Sequence, residues 1–311
     1  MSQTLTDRAT RRLNPKRPRS RAGLRMPRVY YVLPATVVIF FLVGYPMFEL
    51  FVMSFTSVTP ATLIAGGEWV GVDNYVALFG SRSFVDIAIR TAVFGLVVLL
   101  IGLPGGLAAA LALEKRTKLF DFTYALIVLM WALPPIVNAV AWRFILFNDG
   151  ALNEILMGTG VLREPILWLV DGYLPLLSVS FVAGWVALPF AAVVFRAALL
   201  DVPKDQLEAA EVDGAGAIPR FWNVTFPSIS PTVYILSILF LSWAVRSFDF
   251  AFVMTGGGPG EASTTLPVLG YIRAFQIADY SGGATIAVVT IVAVLLFALP
   301  YTRSLGRQSD R

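Results

Sequence analysis

Residues 201–231 read DVPKDQLEAAEVDGAGAIPRFWNVTFPSISP, and what flanks them sets their meaning. On one side lies the apolar stretch Tyr173–Leu200 and on the other Thr232–Met254. Each supplies the roughly 20 residues that a helix needs to cross a hydrocarbon core. The segment between them carries Asp201, Lys204, Asp205, Glu208, Glu211, Asp213 and Arg220, too many charges to span. It nevertheless reads as helical. Asp201 is placed to cap a helix opened by Pro203 and continued through Leu207, Glu208, Ala209 and Ala210, with Asp213-Gly214 as the stop. A second helix is expected from near Pro219, with Ile218, Phe221, Trp222, Thr225 and Phe226 on one side, ended by Pro227 and Pro231. The pattern predicts a helix–turn–helix on a membrane face, either a lipid-bound amphipathic hairpin or a docking element for another protein.

Working outward, about six stretches are long and apolar enough to span: Val29–Phe55, Phe84–Leu113, Tyr124–Phe147, Tyr173–Leu200, Thr232–Met254 and Ala284–Tyr301. Hydrophobic residues are 57% of the chain and charged ones 14%, against roughly 25% charged in a soluble domain, so a bilayer is the natural solvent. The expected fold is an all-α polytopic membrane helix bundle. The basic lead-in before Val29 is too long, and the first apolar stretch too extended, for a signal peptide, so the helix is read as retained.

Orientation follows from where Lys and Arg collect. Residues 1–28 hold Arg8, Arg11, Arg12, Lys16, Arg17, Arg19, Arg21, Arg25 and Arg28. Lys115, Arg116 and Lys118 follow the second stretch, Lys204 and Arg220 the fourth, and Arg303, Arg307 and Arg311 the sixth. The alternate loops hold Glu68, Asp73, Asp149, Glu154, Glu164, Asp171, Glu261 and Asp279 with few basic residues. Both termini and residues 201–231 are therefore expected in the cytoplasm. The organisation is a basic tail (1–28), a transmembrane domain (29–301) and a short carboxy-terminal tail (302–311).

With no cysteine and no histidine, the chain builds no Cys/His zinc site, iron–sulfur cluster, disulfide or His-based nucleophile system. No catalytic and no metal-binding residue is expected. No G-x-x-x-x-G-K-[ST] run occurs, so the chain does not cradle nucleotide phosphates. The net charge of +4 resides in the amino-terminal run rather than on a folded face, which points to membrane lipid and not to nucleic acid.

Within the quoted segment Glu208-Ala209-Ala210, three residues, Gly214, nine residues, then Val224-Thr225-Phe226-Pro227 resembles the EAA loop of binding-protein-dependent ABC importer permeases. Val224 and Phe226 stand where that pattern prefers Ile and Leu. Gly71-Val72-Asp73-Asn74-Tyr75, Trp142 with Asn148–Asn153, and Thr255-Gly256-Gly257-Gly258-Pro259 are similar to segments of its carbohydrate-uptake branch. The resemblance covers most of Tyr30–Tyr301. It implies a multi-pass permease subunit in a bacterial or archaeal plasma membrane. Its implied partners are a second homologous permease, two ATPase domains and an extracytoplasmic solute-binding protein. No cofactor is implied on this chain, with ATP and Mg on the ATPases. Glu208, Ala209, Ala210, Asp213, Gly214 and Pro227 are then the ATPase-coupling residues. The glycine-rich run at Gly256–Gly260 reads as a tight outside reversal, with contact to the external binding protein as its alternative.

A solute path needs polar or aromatic groups at mid-membrane depth. On the fifth stretch the spacing of Trp243, Arg246 and Ser247 puts those three on a common face, and Arg246 and Asp249 at i and i+3 can pair. Such a pair would offset the roughly 2.5–3.5 kcal/mol that insertion scales assign to a lone mid-membrane charge. The pair either lines the path or locks helices together. Trp185 and Phe190 on the fourth stretch, and Asn138 on the third, are further candidates, with packing as the alternative for each. Two other classes remain: a self-sufficient secondary transporter, which would usually carry repeats and buried carboxylates, and a membrane enzyme, which needs clustered acidic residues or histidine.

Overall fold

The computed structural model describes residues 29–113 and 118–309; the basic segment before Val29, Lys115, Arg116 and Arg311 lie outside the described residues. The chain divides into two units, Met1–Phe48 and Glu49–Arg311. In the first, α1 (Val29–Ile39) passes through a π-helical turn, Phe40–Gly44, into the opening residues of α2 (Tyr45–Met53), a helix that crosses the boundary between the units. Val38, Phe41 and Leu42 are exposed there, as lipid solvent permits.

In the second unit the rest of α2 is followed by a two-residue antiparallel hairpin, Thr56–Ser57 against Glu68–Trp69, among elements that are otherwise helical in the described residues. A short α3 (Asp73–Phe79) follows, held by Asn74, whose side-chain amide donates to the Ser54 and Thr56 carbonyls at 3.0 Å each. Next come α4 (Arg82–Ala112), α5 (Lys118–Ala132), α6 (Pro135–Ile145) and α7 (Ala151–Gly158). They precede α8 (Leu174–Leu200), α9 (Lys204–Val212) and α10 (Ala217–Arg220). A π-helical turn, Phe221–Thr225, then leads into α11 (Phe226–Arg246). Last are α12 (Asp249–Thr255), α13 (Leu266–Tyr271), a π-helical turn at Ile272–Gln276, and α14 (Tyr280–Ser309). Among the described residues five helices are long and apolar enough to cross a membrane, or six if a bent pair counts as one span.

Lipid tails are as apolar as Leu, so helix association in a bilayer rests on close packing rather than on water exclusion. The α4/α8 seam shows the consequence. A Cβ at Gly105 would come within 2.6 Å of Leu188 and one at Gly184 within 2.8 Å of Ile101, while toward α11 one at Gly102 would come within 2.6 Å of the Phe240 ring. Glycine lets these backbones approach. Phe94, Val98, Val179 and Val182 fill one core layer, and Leu103, Ala191, Phe195, Ile229 and Leu236 another.

Four expectations are corrected. The third stretch, Tyr124–Phe147, is not one straight helix: α5 and α6 meet at a 103° bend. Pro134 and Pro135 cannot donate to the helical ladder, and proline disfavours helical geometry at the residue before it, here Leu133. Asn138 closes the break, its amide nitrogen donating to the Leu133 carbonyl at 3.4 Å.

The fifth stretch, Thr232–Met254, is also interrupted. Ser247 turns extended (φ −70°, ψ 116°), and α12 starts as a separate helix. At its other end, Pro227 and Pro231 do not terminate the preceding helix, which runs without a gap from Ala217 to Arg246. The π-helical turn precedes Pro227 and widens the backbone, with the Phe226 amide donating to the Phe221 carbonyl. Pro231 leaves the Pro227 carbonyl without its amide partner, and the Ser230 hydroxyl donates to that oxygen at 2.9 Å. Finally, Asp201 makes no side-chain cap: it ends α8, and Pro203 sits at the cap position of α9.

Candidate functional site

The helix–turn–helix after α8 is built from local chemistry. Past its last helical turn, α9 closes with two hydrogen bonds, Gly214 N–H to the Glu211 carbonyl at 3.0 Å and Ala215 N–H to the Ala210 carbonyl at 2.9 Å. This double bond pattern requires a left-handed residue, and Gly214 supplies it at φ +80°. Glu208, Ala209, Asp213 and Gly214 are exposed, Ala210 is half-buried, and Pro227 is exposed one helix further on. Glu208 makes no hydrogen bond or ion pair with any described residue, whereas Glu211 pairs with Arg220 at 3.3 Å and ties α9 to α10. A pocket of 580 Å³ beneath the knob gathers Lys204, Glu208, Glu211, Arg220, Ile218 and Trp222. The arrangement is a small-faced projection on which Asp205, Glu208 and Asp213 make no hydrogen bond or ion pair with any described residue through their carboxylates, and Glu208 is the one of the three that lines the pocket.

The membrane-embedded element is an open pocket of 350 Å³ lined by the α5/α6 bend, α8 and α11. Its wall includes Trp131, Phe190, Phe240, Trp243 and Arg246. The Trp131 and Phe190 rings lie 5.7 Å apart, and Phe190 and Phe240 6.4 Å apart, forming a continuous aromatic surface. Trp243 stands edge-on to Phe250 at 6.2 Å, which fixes its ring.

The pocket thus unites three of the expected path residues, Phe190, Trp243 and Arg246. It does not take in the other four. Ser247 is buried at the helix break, Asp249 begins α12, Asn138 braces the α5/α6 bend, and Trp185 packs against Trp142 at 6.2 Å. The expected Arg246–Asp249 ion pair is not formed, because the break at Ser247 removes the helical spacing on which it depended. Arg246 instead donates from Nε to the Ser242 carbonyl at 3.2 Å. Trp131 was not anticipated; its signal was the Leu133-Pro134-Pro135 run that bends the chain beside it.

On the opposite side, Asn153 is fully buried and joins α7 to the loop before α8. Its amide nitrogen donates to the Asn148 and Ile166 carbonyls at 3.0 and 2.9 Å, and its oxygen accepts from the Trp168 indole at 3.0 Å. The glycine-rich run is a closed reversal: Thr264 Oγ1 donates to the Gly257 carbonyl at 2.8 Å, and Ser263 Oγ to that of Gly258 at 3.0 Å.

Comparison with known proteins adds three observations. Residues 102–308 match the family model described as binding-protein-dependent transport system inner membrane component. The chain is 31% identical to the trehalose/maltose transport system permease protein MalF of Thermococcus litoralis, over 88% of this chain and 91% of that one. It is 29% identical to the diacetylchitobiose uptake system permease protein DasB of Streptomyces coelicolor, over 94% and 90% respectively. In fold it is similar to a chain of the bacterial alginate ABC transporter solved with an alginate pentasaccharide-bound periplasmic protein. That likeness has a TM-score of 0.72 at 21% identity, and covers 91% of this chain and 95% of that one.

Proposed function

The chain belongs to the family of binding-protein-dependent transport system inner membrane components, and we propose that it forms part of the import path for a sugar or related polar solute, driven through α9 by ATPase subunits. It is a multi-pass transport permease subunit and not an enzyme. The proposed assembly contains a second, similar permease, two ATPase domains that hold ATP and Mg²⁺, and an external solute-binding protein, in the plasma membrane of a bacterium or archaeon. Support comes from relatives whose names carry trehalose, maltose and diacetylchitobiose, and from the alginate transporter's periplasmic protein.

One observation carries the mechanism. The two helices flanking the knob, α8 and α11, are also two of the walls of the mid-membrane pocket: Phe190 belongs to one, and Phe240, Trp243 and Arg246 to the other. A displacement of α9 therefore acts on the path through continuous helix. α9 follows α8 after three residues, 201–203, and only the short turn 213–216 separates it from the helix that runs to Arg246. The small face at Ala209, Ala210 and Gly214 admits close approach of a partner, and Glu208 offers it a charge-assisted contact.

Trp131, Phe190 and Trp243 then offer faces on which sugar rings stack. The test is reconstitution of the complete complex in vesicles. Glu208→Ala is expected to lower solute uptake about tenfold while ATP hydrolysis continues, the signature of a lost interfacial contact. Wild-type uptake by that variant, together with absence of cross-links from residue 209 to an ATPase subunit, would remove α9 from the coupling path. Trp131→Ala with Trp243→Ala is expected to change uptake kinetics; an unchanged profile moves the path elsewhere.

A further inference from the structure

Arg246 has no counter-ion among the described residues. It lines the aromatic pocket with its side chain exposed on the open side, and its only hydrogen bond to a described residue runs from Nε to a carbonyl of its own helix, so the terminal nitrogens of the guanidinium fork pair with no described residue. No carboxylate among the described residues pairs with it. Its depth is fixed by packing: a Cβ at Gly95, near the middle of α4, would lie 3.7 Å from the Ala244 methyl, two residues before Arg246. A charge at that depth faces the bundle interior or a water-filled cavity and pairs with an opposite charge or with backbone carbonyls; the Ser242 carbonyl takes one of the five guanidinium donors and leaves the fork free for a ligand. The planar guanidinium fork is matched best by a carboxylate, phosphate or sulfonate.

We propose that the solute is a saccharide bearing an anionic group, received by Arg246 while its ring stacks on Trp131, Phe190 or Trp243. This rests on reading the pocket as the solute path. A neutral sugar gives the guanidinium only neutral hydroxyls to bond, whereas an acidic sugar supplies both the missing charge and two in-plane acceptors. The pocket combines the two contacts such a solute needs, an apolar face and a bidentate cation. The competing occupant is a carboxylate from the second permease.

The experiment is uptake into vesicles by the complete complex with its own binding protein, with labelled trigalacturonate as the anionic probe and maltotriose as the neutral one. The wild type is expected to accumulate trigalacturonate in preference to maltotriose. Arg246→Gln is expected to lower trigalacturonate uptake about tenfold or more, the usual cost of losing a charge-assisted pair, and Arg246→Lys to keep part of it. Uptake confined to maltotriose overturns the proposal, as does trigalacturonate uptake that Arg246→Gln leaves at the wild-type level. It is equally overturned if Arg246→Gln dissociates the two permeases and neutralising a carboxylate on the second one restores them. Failure of the underlying reading looks different: ATP is hydrolysed with neither probe accumulating, whatever stands at 246, and the inference falls with it.

Discussion

A Cβ added at Gly106 in the α4/α8 seam would overlap the Cβ of Ala191, whereas one added at Gly214 on the α9 knob would meet nothing within 4 Å. Both positions need glycine, and for opposite reasons. In the seam the constraint is space between two backbones, the currency of helix association in lipid. On the knob it is the left-handed backbone at φ +80°, with the surrounding space left open. The seam must be filled by this chain alone; the open space at the knob suits the close approach of another protein. Sites built for packing and sites built for docking therefore differ in what a substitution should disturb.

The sharpest attempt to break this contrast is Gly106→Leu. Overpacking a seam of this kind costs about 1–3 kcal/mol and occasionally more, and here the Ala191 methyl and the Ala192 backbone stand directly in the way. The expected outcome is a lowered thermal midpoint and aggregation in detergent, read by size-exclusion chromatography. A monodisperse variant with an unchanged midpoint would show that the seam is looser than its geometry implies.

Gly214 gives the second test, in three variants. Any L-residue at φ +80° carries a backbone penalty of roughly 1–2 kcal/mol, least for Asn. Gly214→Asn should therefore hold coupling near wild type and Gly214→Ala lose some of it. Gly214→Trp, which also fills the open space, should abolish uptake while ATP hydrolysis persists. Equal uptake by the Trp and Asn variants would mean that no partner approaches this turn.

Ser230→Ala probes the helix between knob and path. It removes the hydroxyl that satisfies the Pro227 carbonyl, worth about 0.5–1.5 kcal/mol for a typical hydrogen bond. A small fall in thermal midpoint is expected, with local opening around residues 227–231 in hydrogen exchange. Unchanged protection there would show that water replaces the hydroxyl.

The same contrast explains what was legible in the sequence. The knob was readable because its determinants are contiguous: Leu207 to Ala210 propagate a helix and Asp213-Gly214 stop it, all within a few residues. The error came at Pro227 and Pro231, where a π-helical turn and one serine hydroxyl neutralise two helix breakers; neither device has a strong sequence signal. The path was half readable. Phe190, Trp243 and Arg246 stand out as polar or aromatic residues in apolar runs. Ser247 and Asp249 were projected along a helix that ends at Ser247, and no Gly or Pro at that point announces the break. Trp131 lies beside a proline pair that was visible but absorbed into one long hydrophobic stretch.

The smallest expected effect separates the knob's rigidity from its docking. The Glu211–Arg220 pair spans the turn between α9 and α10 at 3.3 Å, with Glu211 largely exposed. Exposed pairs of this kind contribute about 0.2–1 kcal/mol and are screened by salt. The turn itself is held by the two backbone hydrogen bonds that follow Gly214's conformation, which the pair does not supply. Glu211→Gln should therefore leave the thermal midpoint within about a degree or two and reduce coupling only slightly, with the difference vanishing at high salt. If Glu211→Gln instead matches Glu208→Ala in uncoupling uptake from hydrolysis, the carboxylate that engages the partner is the paired one. The knob would then dock by breaking its own ion pair rather than by offering a free charge.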